Sequence, residues 1–344
     1  MAESTEATSR RRWAMAMPAL LGTVAMFAAS ACGPTDRANN AANSNPGPDR
    51  APPPAAGRGE ARRLASATGF DRPDAIAYDS VTDRYFVSNT SLAVGAAPAH
   101  GFISRITSDG VIDSLHFIQF GRGGATLRTP MGIRVRADTL WVLDIDALEG
   151  FDTRSGAFRR RIDFSELKPG TVNDFDWGPD GAIYVTDMGG AWTPSGPEMP
   201  RKPMRILKIS PAGSLTVALE SPALAAPSGT TWDRLEQRFI LAPFGGAWIQ
   251  EWRIGQPIVE PVVKGPTKRF GRFDGVEVAP DGRVFITNWG AGSVYQLTNG
   301  ALTPVIVGLD AAADVALDTR RGYLAVCDFH ANKVEIWMIA SPAA

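Results

Sequence analysis

The fold is read from Asp274-Gly275-Val276-Glu277-Val278, the turn Ala279-Pro280-Asp281-Gly282, and the runs Val284-Phe285-Ile286-Thr287-Asn288 and Gly292-Ser293-Val294-Tyr295-Gln296-Leu297. These are short segments rich in β-branched and aromatic residues, punctuated by Pro, Asp and Gly, which read as strand, tight turn, strand and strand. The same order recurs outward from this copy. Asp74-Ala75-Ile76-Ala77-Tyr78-Asp79 leads to Tyr85-Phe86-Val87-Ser88-Asn89, and Asn173-Asp174-Phe175-Asp176-Trp177 leads to Ile183-Tyr184-Val185-Thr186-Asp187. Looser copies begin at Met131-Gly132-Ile133, Ser228-Gly229-Thr230 and Ala313-Asp314-Val315.

The copies are spaced by about 48 residues, the length of a four-stranded propeller blade. No long amphipathic helix interrupts them. The expected fold is therefore all-β, a six-bladed β-propeller over residues 61–344. Leu64 to Asp71 reads like Leu302 to Asp310, so an N-terminal strand is expected to complete the last blade, whose other three strands come from the C-terminus.

In such a blade the start of the first strand and the end of the second meet on one face, because the two run antiparallel. That face receives Asp74, Asn173, Ser228 and Asp274 at first-strand starts, and Asn89, Asp144, Asp187, Asn288 and Asp328 at second-strand ends. Oxygen donors converging on a tunnel mouth suit a hard divalent cation such as Ca²⁺. The competing reading is that they cap strand ends and bind water. Asp79, Asp180, Asp233, Asp281 and Asp318 fall on the opposite face and read as turn residues.

The longest insertions, Thr90 to His100 and Met188 to Met204, also fall on the first face, where long loops on a rigid scaffold build pockets. They bring His100 and Trp192 towards a small-molecule substrate or ligand, while Trp289 and Phe329 offer apolar walls or simply cover blade tops. His100 and His330 are candidate general bases. Cys327, inside a strand, reads as a buried core thiol.

Ahead of the propeller, Arg10-Arg11-Arg12, an apolar run to Ala28 and Ala29-Ser30-Ala31 before Cys32 spell an export signal over residues 1–31. Ala29-Ser30-Ala31-Cys32 resembles a bacterial lipobox with Cys32 as the lipidated residue; the alternative is an ordinary signal-peptidase site at the same bond. Ser9 to Trp13 also resembles a twin-arginine signal. Residues 32–60 are rich in Pro, Ala, Asn and Gly and read as a disordered tether. The expected location is the cell envelope, as a lipoprotein or in the periplasm, with membrane contact only through the N-terminal lipid. With 35 basic against 36 acidic side chains there is no global field for nucleic acid. The propeller is expected to be a monomer.

Asn173-Asp174 ahead of Pro179-Asp180-Gly181, and Asp274-Gly275-Val276 through Pro280-Asp281-Gly282 to Asn288-Trp289-Gly290 and Ser293-Val294-Tyr295, resemble the senescence-marker-protein/gluconolactonase family of six-bladed propellers. The resemblance runs over residues 64–339 and is partly shared with NHL-repeat and strictosidine-synthase-like propellers. It implies one divalent metal at the tunnel mouth, often Ca²⁺, and lactone hydrolysis. It places Asp274 at the family's catalytic and ligating Asp, Asn173 at the nearby Asn, Asp74 at the ligating Glu and Ser228 at the ligating Asn. Asp74 is one methylene shorter than Glu, Ser228 replaces an amide, and Thr171 stands where sugar-lactone enzymes carry Arg. Two functions follow as expectations: a metal-dependent lactone or ester hydrolase with Asp274 as ligand or base, or a non-catalytic ligand- or protein-binding propeller.

Overall fold

The computed structural model describes residues 61–91, 100–193, 196–198, 203–257, 259–264 and 272–339. The export signal, Cys32 and the tether lie outside the described residues. Six four-stranded antiparallel sheets make the blades. Their innermost strands are Pro73–Asp79, Ile133–Arg136, Val172–Trp177, Pro227–Asp233, Phe273–Val278 and Ala312–Asp318, for blades 1 to 6 in order. Each innermost strand touches those of its two neighbours, and blade 6 returns to blade 1, so the ring is closed around a central tunnel.

In five of the six blades an Asp in the turn after the innermost strand accepts from a backbone amide of that turn, Asp180 of blade 3 from Ala182 at 3.2 Å. Asp79 accepts from the Val81 amide at 2.9 Å, Asp233 from Leu235 at 3.0 Å, Asp281 from Arg283 at 3.1 Å and Asp318 from Arg320 at 2.8 Å. These carboxylates hold turns, as the sequence pattern predicts. The core is distributed between blades: Phe86 and Ile103 of blade 1 pack with Leu140, Val142 and Phe151 of blade 2, and Leu143 and Leu148 of blade 2 with Phe175, Val185 and Leu207 of blade 3. Both faces of a blade are therefore covered, which matches the near-continuous apolar runs of the second strands.

Blade 6 is completed by the N-terminal strand Arg62–Thr68, which pairs antiparallel with Lys333–Met338 from Arg62 opposite Met338 to Thr68 opposite Lys333. Arg63 meets Glu335 at 2.9 Å, and Ala67 packs into the cluster holding Val334 and Ile336. On the opposite side of the same joint Arg321 of blade 6 forks onto Asp83 of blade 1 at 2.7 and 2.8 Å. Deleting residues 61–69 opens the edge of Lys333–Met338 and unties the ring. The expected loss is ~3 kcal/mol, read as a melting midpoint lower by roughly 6–10 °C. An unchanged midpoint would contradict closure by this strand.

Candidate functional site

The innermost strands do not run evenly into the tunnel mouth. Their pairing with the second strand skips between Pro73 and Ile76, between Val172 and Phe175, between Phe273 and Val276, and between Ala312 and Val315. A bulge of this kind breaks the alternation of a strand and lets consecutive residues face the same side. Asp74 with Ala75, Asn173 with Asp174, and Asp274 with Gly275 accordingly line one cavity in pairs, joined by Gly132, Gly229 and Asp314; its empty space, open mouth included, is about 210 Å³.

Second-strand hydroxyls satisfy the bulged backbone. The Ala75 amide donates to Ser88 Oγ at 2.8 Å, Asp174 to Thr186 Oγ1 at 3.0 Å and Gly275 to Thr287 Oγ1 at 2.7 Å. Thr186 also donates to the Ser228 carbonyl of the next blade at 2.6 Å. Glycine is required beside the carboxylates: a Cβ on Gly275 would lie 2.1 Å from Asp314 Oδ1, and one on Gly132 2.8 Å from Asp174 Oδ1.

Four carboxylates line this cavity, those of Asp74, Asp174, Asp274 and Asp314, with no basic side chain on its wall among the described residues. Burial and then the neighbouring charges of Asp274, Asp314 and Asp174 push the Asp74 carboxyl well above its usual range. Burial raises Asp274 to about 7, against the pull of the Ser228 hydrogen bond and with the push of Asp174. Asp314 is raised by burial and by Asp174. Like charges brought together out of water favour a proton or a bound cation.

The predicted site residues divide in three ways. Asp74, Asn173 and Asp274, from blades 1, 3 and 5, come together on the cavity wall. Ser228 is fully buried, and its hydroxyl donates to Asp274 Oδ1 at 2.6 Å. His100 stacks on Phe120 at 4.3 Å beside the outermost strand of blade 1, and Trp289 packs against Phe329 at 4.6 Å and His330 at 5.2 Å; none of these lines the cavity. The backbone of Trp192 lies in the hairpin Ala191–Thr193 with Gly196–Glu198, while its side chain is outside the described residues.

The second-strand ends cap incoming loops. Asp144 accepts from the Thr129 amide at 2.7 Å, Asp187 from Gly170 at 2.9 Å, Asp328 from Ala311 at 2.8 Å and Asn89 from Asp71 at 2.9 Å. Cys327 is a fully buried thiol in the position that Ser88, Thr186 and Thr287 hold in other blades.

Two cavity carboxylates, Asp174 and Asp314, were not singled out from the sequence. Asp174 accepts from the Thr230 amide at 2.9 Å and Asp314 from Ile76 at 3.3 Å, so each also joins its blade to the next. The signal for Asp174 lies in Thr186, whose hydroxyl holds the bulge as Ser88 and Thr287 do in blades 1 and 5; blade 6 has Cys327 at that position and offers no such signal for Asp314.

A hard cation is testable against this donor set. Among the described residues, no group of three His, Cys, Asp or Glu is arranged to hold a metal ion. The set at the mouth is instead two carboxylates and an amide. Asp74 and Asn173 are both only 6% exposed, and both line the cavity. Carboxylate and amide oxygens lining one cavity fit a site that takes oxygen-seeking ions.

No family model and no curated protein sequence matches the chain. Solved structures do match. A gluconolactonase from Xanthomonas campestris aligns with a TM-score of 0.62 at 18% identity, over 84% of this chain and 97% of that one. A structural-genomics target assigned as a gluconolactonase aligns with a TM-score of 0.63 at 16% identity, over 83% and 93%. Virginiamycin B lyase from Staphylococcus aureus aligns with a TM-score of 0.55 at 16% identity, over 80% and 98%. The chain is thus a six-bladed β-propeller with the fold that gluconolactonases share with virginiamycin B lyase.

Proposed function

We propose that the chain hydrolyses a lactone or carboxylic ester at the tunnel mouth, with Asp274 as general base and Asp74, Asn173 and Asp274 as the residues that hold a divalent cation. The observation that carries this reading is the meeting of those three side chains, from three blades, on one cavity wall. A bound cation of this kind supplies Lewis-acid polarisation of the carbonyl and a lowered water pKa.

Asp274 has a defined part in the reaction. Ser228 fixes its Oδ1, and its second oxygen has no hydrogen bond among the described residues. That oxygen takes a proton from water as the water oxygen bonds to the carbonyl carbon. The C–O bond to the alkoxide then breaks, and Asp274 returns the proton to the departing oxygen. A lactone yields a hydroxy acid, and an ester yields an acid and an alcohol. In the cation-free cavity burial brings Asp274 to about 7, and a carboxylate that exchanges protons near the working pH is suited to both transfers. Ser228 acts as a positioning residue, and its hydroxyl is not offered as a ligand.

The proposal extends to the N-terminus, where export and lipidation at Cys32 would place this hydrolase in the cell envelope. The test is proton release from a panel of neutral lactones and esters by the purified chain with Ca²⁺. Turnover of any member, lost on chelation, supports the reading. Ligand binding with no proton release across the panel would instead favour a binding propeller.

A further inference from the structure

Arg134 crosses the tunnel beneath the cavity. It stands on the innermost strand of blade 2, two residues beyond Gly132 on the cavity wall, about 7 Å further along. Its Nε donates to the Phe175 carbonyl of blade 3. One terminal nitrogen donates to Asp174 Oδ2 at 3.2 Å and to the Thr230 carbonyl of blade 4 at 2.7 Å. The other donates to Glu277 Oε2 of blade 5 at 3.3 Å. Blade 5 faces blade 2 across a six-bladed ring, so the guanidinium spans the axis.

The charges around it are uneven. Asp174, Asp176, Glu277 and Asp314 all act on Arg134, and burial opposes its charge, yet together they hold it protonated. Among the described residues no other cation pairs with Asp174 or Glu277. Asp176 is engaged by backbone, accepting from the Trp232 amide at 2.8 Å. A planar fork with five donors can serve a carboxylate and several carbonyls from one place.

We propose that Arg134 is a built-in counter-cation: it closes the tunnel floor and occupies the place that a second inorganic cation would otherwise take among Asp174, Glu277 and Asp314. It thereby limits the chain to one divalent cation, held at the mouth. The mouth cation rests on the reading under Proposed function; the role of Arg134 below it stands on its own contacts. Removing one partner of a buried ion pair leaves the other charges uncompensated. Charge is then to be restored by an ion from solution or by removing a carboxylate.

The experiment is a calorimetric Ca²⁺ titration and a melting series, in Ca²⁺ and in chelator at pH 8, on the full chain and on Arg134→Met, Arg134→Lys and Arg134→Met/Glu277→Gln. The wild type is expected to bind one Ca²⁺. Arg134→Met is expected to melt roughly 10 °C lower in chelator, to bind two Ca²⁺, and to regain most of the loss when they bind. Arg134→Lys keeps the charge and one Ca²⁺, and the double variant recovers stability in chelator and returns to one Ca²⁺.

If Arg134→Met binds Ca²⁺ as the wild type does and neither Ca²⁺ nor Glu277→Gln recovers its stability, Arg134 is only a packing residue and the proposal falls. Ca²⁺ bound by Arg134→Met but not by the wild type would overturn the mouth cation and uphold the counter-cation. Binding by neither would overturn both. Should Arg134→Met not fold, a folded double variant upholds the charge role and an unfolded one overturns it.

Discussion

Asp274→Asn is expected to lower kcat/KM for the hydrolysed lactone or ester by about 10²–10⁴-fold while raising the melting midpoint of the chelated protein at pH 8. The two effects have one origin. Asparagine keeps an oxygen that accepts from Ser228 Oγ, 2.6 Å away in the wild type, so the cavity wall is preserved. It can neither take a proton from water nor carry the negative charge that burial and Asp174 oppose. One pKa unit corresponds to ~1.4 kcal/mol, so relief of a charge displaced this far is on the order of 2 kcal/mol or more in native stability. Adding Ca²⁺ should narrow or reverse the difference, because only the wild type then gains from a bound cation. Equal turnover by the variant would remove Asp274 from the chemistry, and a lower midpoint in chelator would contradict the account of its burial.

The second large effect is a stability maximum on the acid side of neutrality. Asp274 and Glu277 are both held near 7, chiefly by burial, and Asp74 and Asp314 are displaced upwards as well. A carboxyl whose folded pKa is raised binds its proton more tightly when native. Its favourable contribution is complete below the unfolded value near 4 and is lost as pH rises through the folded value. Stability in chelator should therefore fall between pH 5 and 8 by several kcal/mol in all.

Surface carboxylates work in the other direction. Asp138, held to about 2 by Arg159, and Asp152, held to about 2 by the Ser155 amide and hydroxyl, stabilise the native state above about pH 4 and lose that contribution as pH falls towards 2. The optimum should sit near pH 5 in chelator and move towards neutrality with Ca²⁺. Melting curves from pH 3 to 9 decide this; a chelated midpoint that is flat or rising from pH 5 to 8 contradicts it.

Much of this architecture is legible in the sequence because a blade repeats its turn chemistry. Pro280-Asp281-Gly282 and its counterparts at Asp79, Asp180, Asp233 and Asp318 mark where five of the innermost strands end, and the likeness of Leu64–Asp71 to Leu302–Asp310 carries ring closure. Asp74, Asn173 and Asp274 are legible for the same reason: each stands at the same place in its copy. Asp174 and Asp314 were hidden by the bulge, since ordinary alternation sends the neighbour of a tunnel-facing residue to the other face. Arg134 and Glu277 meet over 143 residues of sequence and across the ring axis, a relation that strand periodicity does not encode. Ser228 aligned with a ligand position, but its hydroxyl answers to a carboxylate 46 residues away, in the next blade. Asp144, Asp187 and Asp328 share the predicted face, and their carboxylates are engaged by the amides of loops entering the tunnel side.

The proposed cation site of Asp74, Asn173 and Asp274 at the tunnel mouth is put to the test by a thermal-melt titration with Ca²⁺, Mg²⁺, Mn²⁺ and Zn²⁺ against chelator, run beside Asp74→Asn. A cation at 100 times its dissociation constant adds about 2.7 kcal/mol to native stability, large enough to move the midpoint by several degrees. The wild type is expected to show a saturable rise with at least one of these ions, abolished or much reduced in Asp74→Asn. An equal rise in both proteins, or none with any ion in the wild type, would rule the site out.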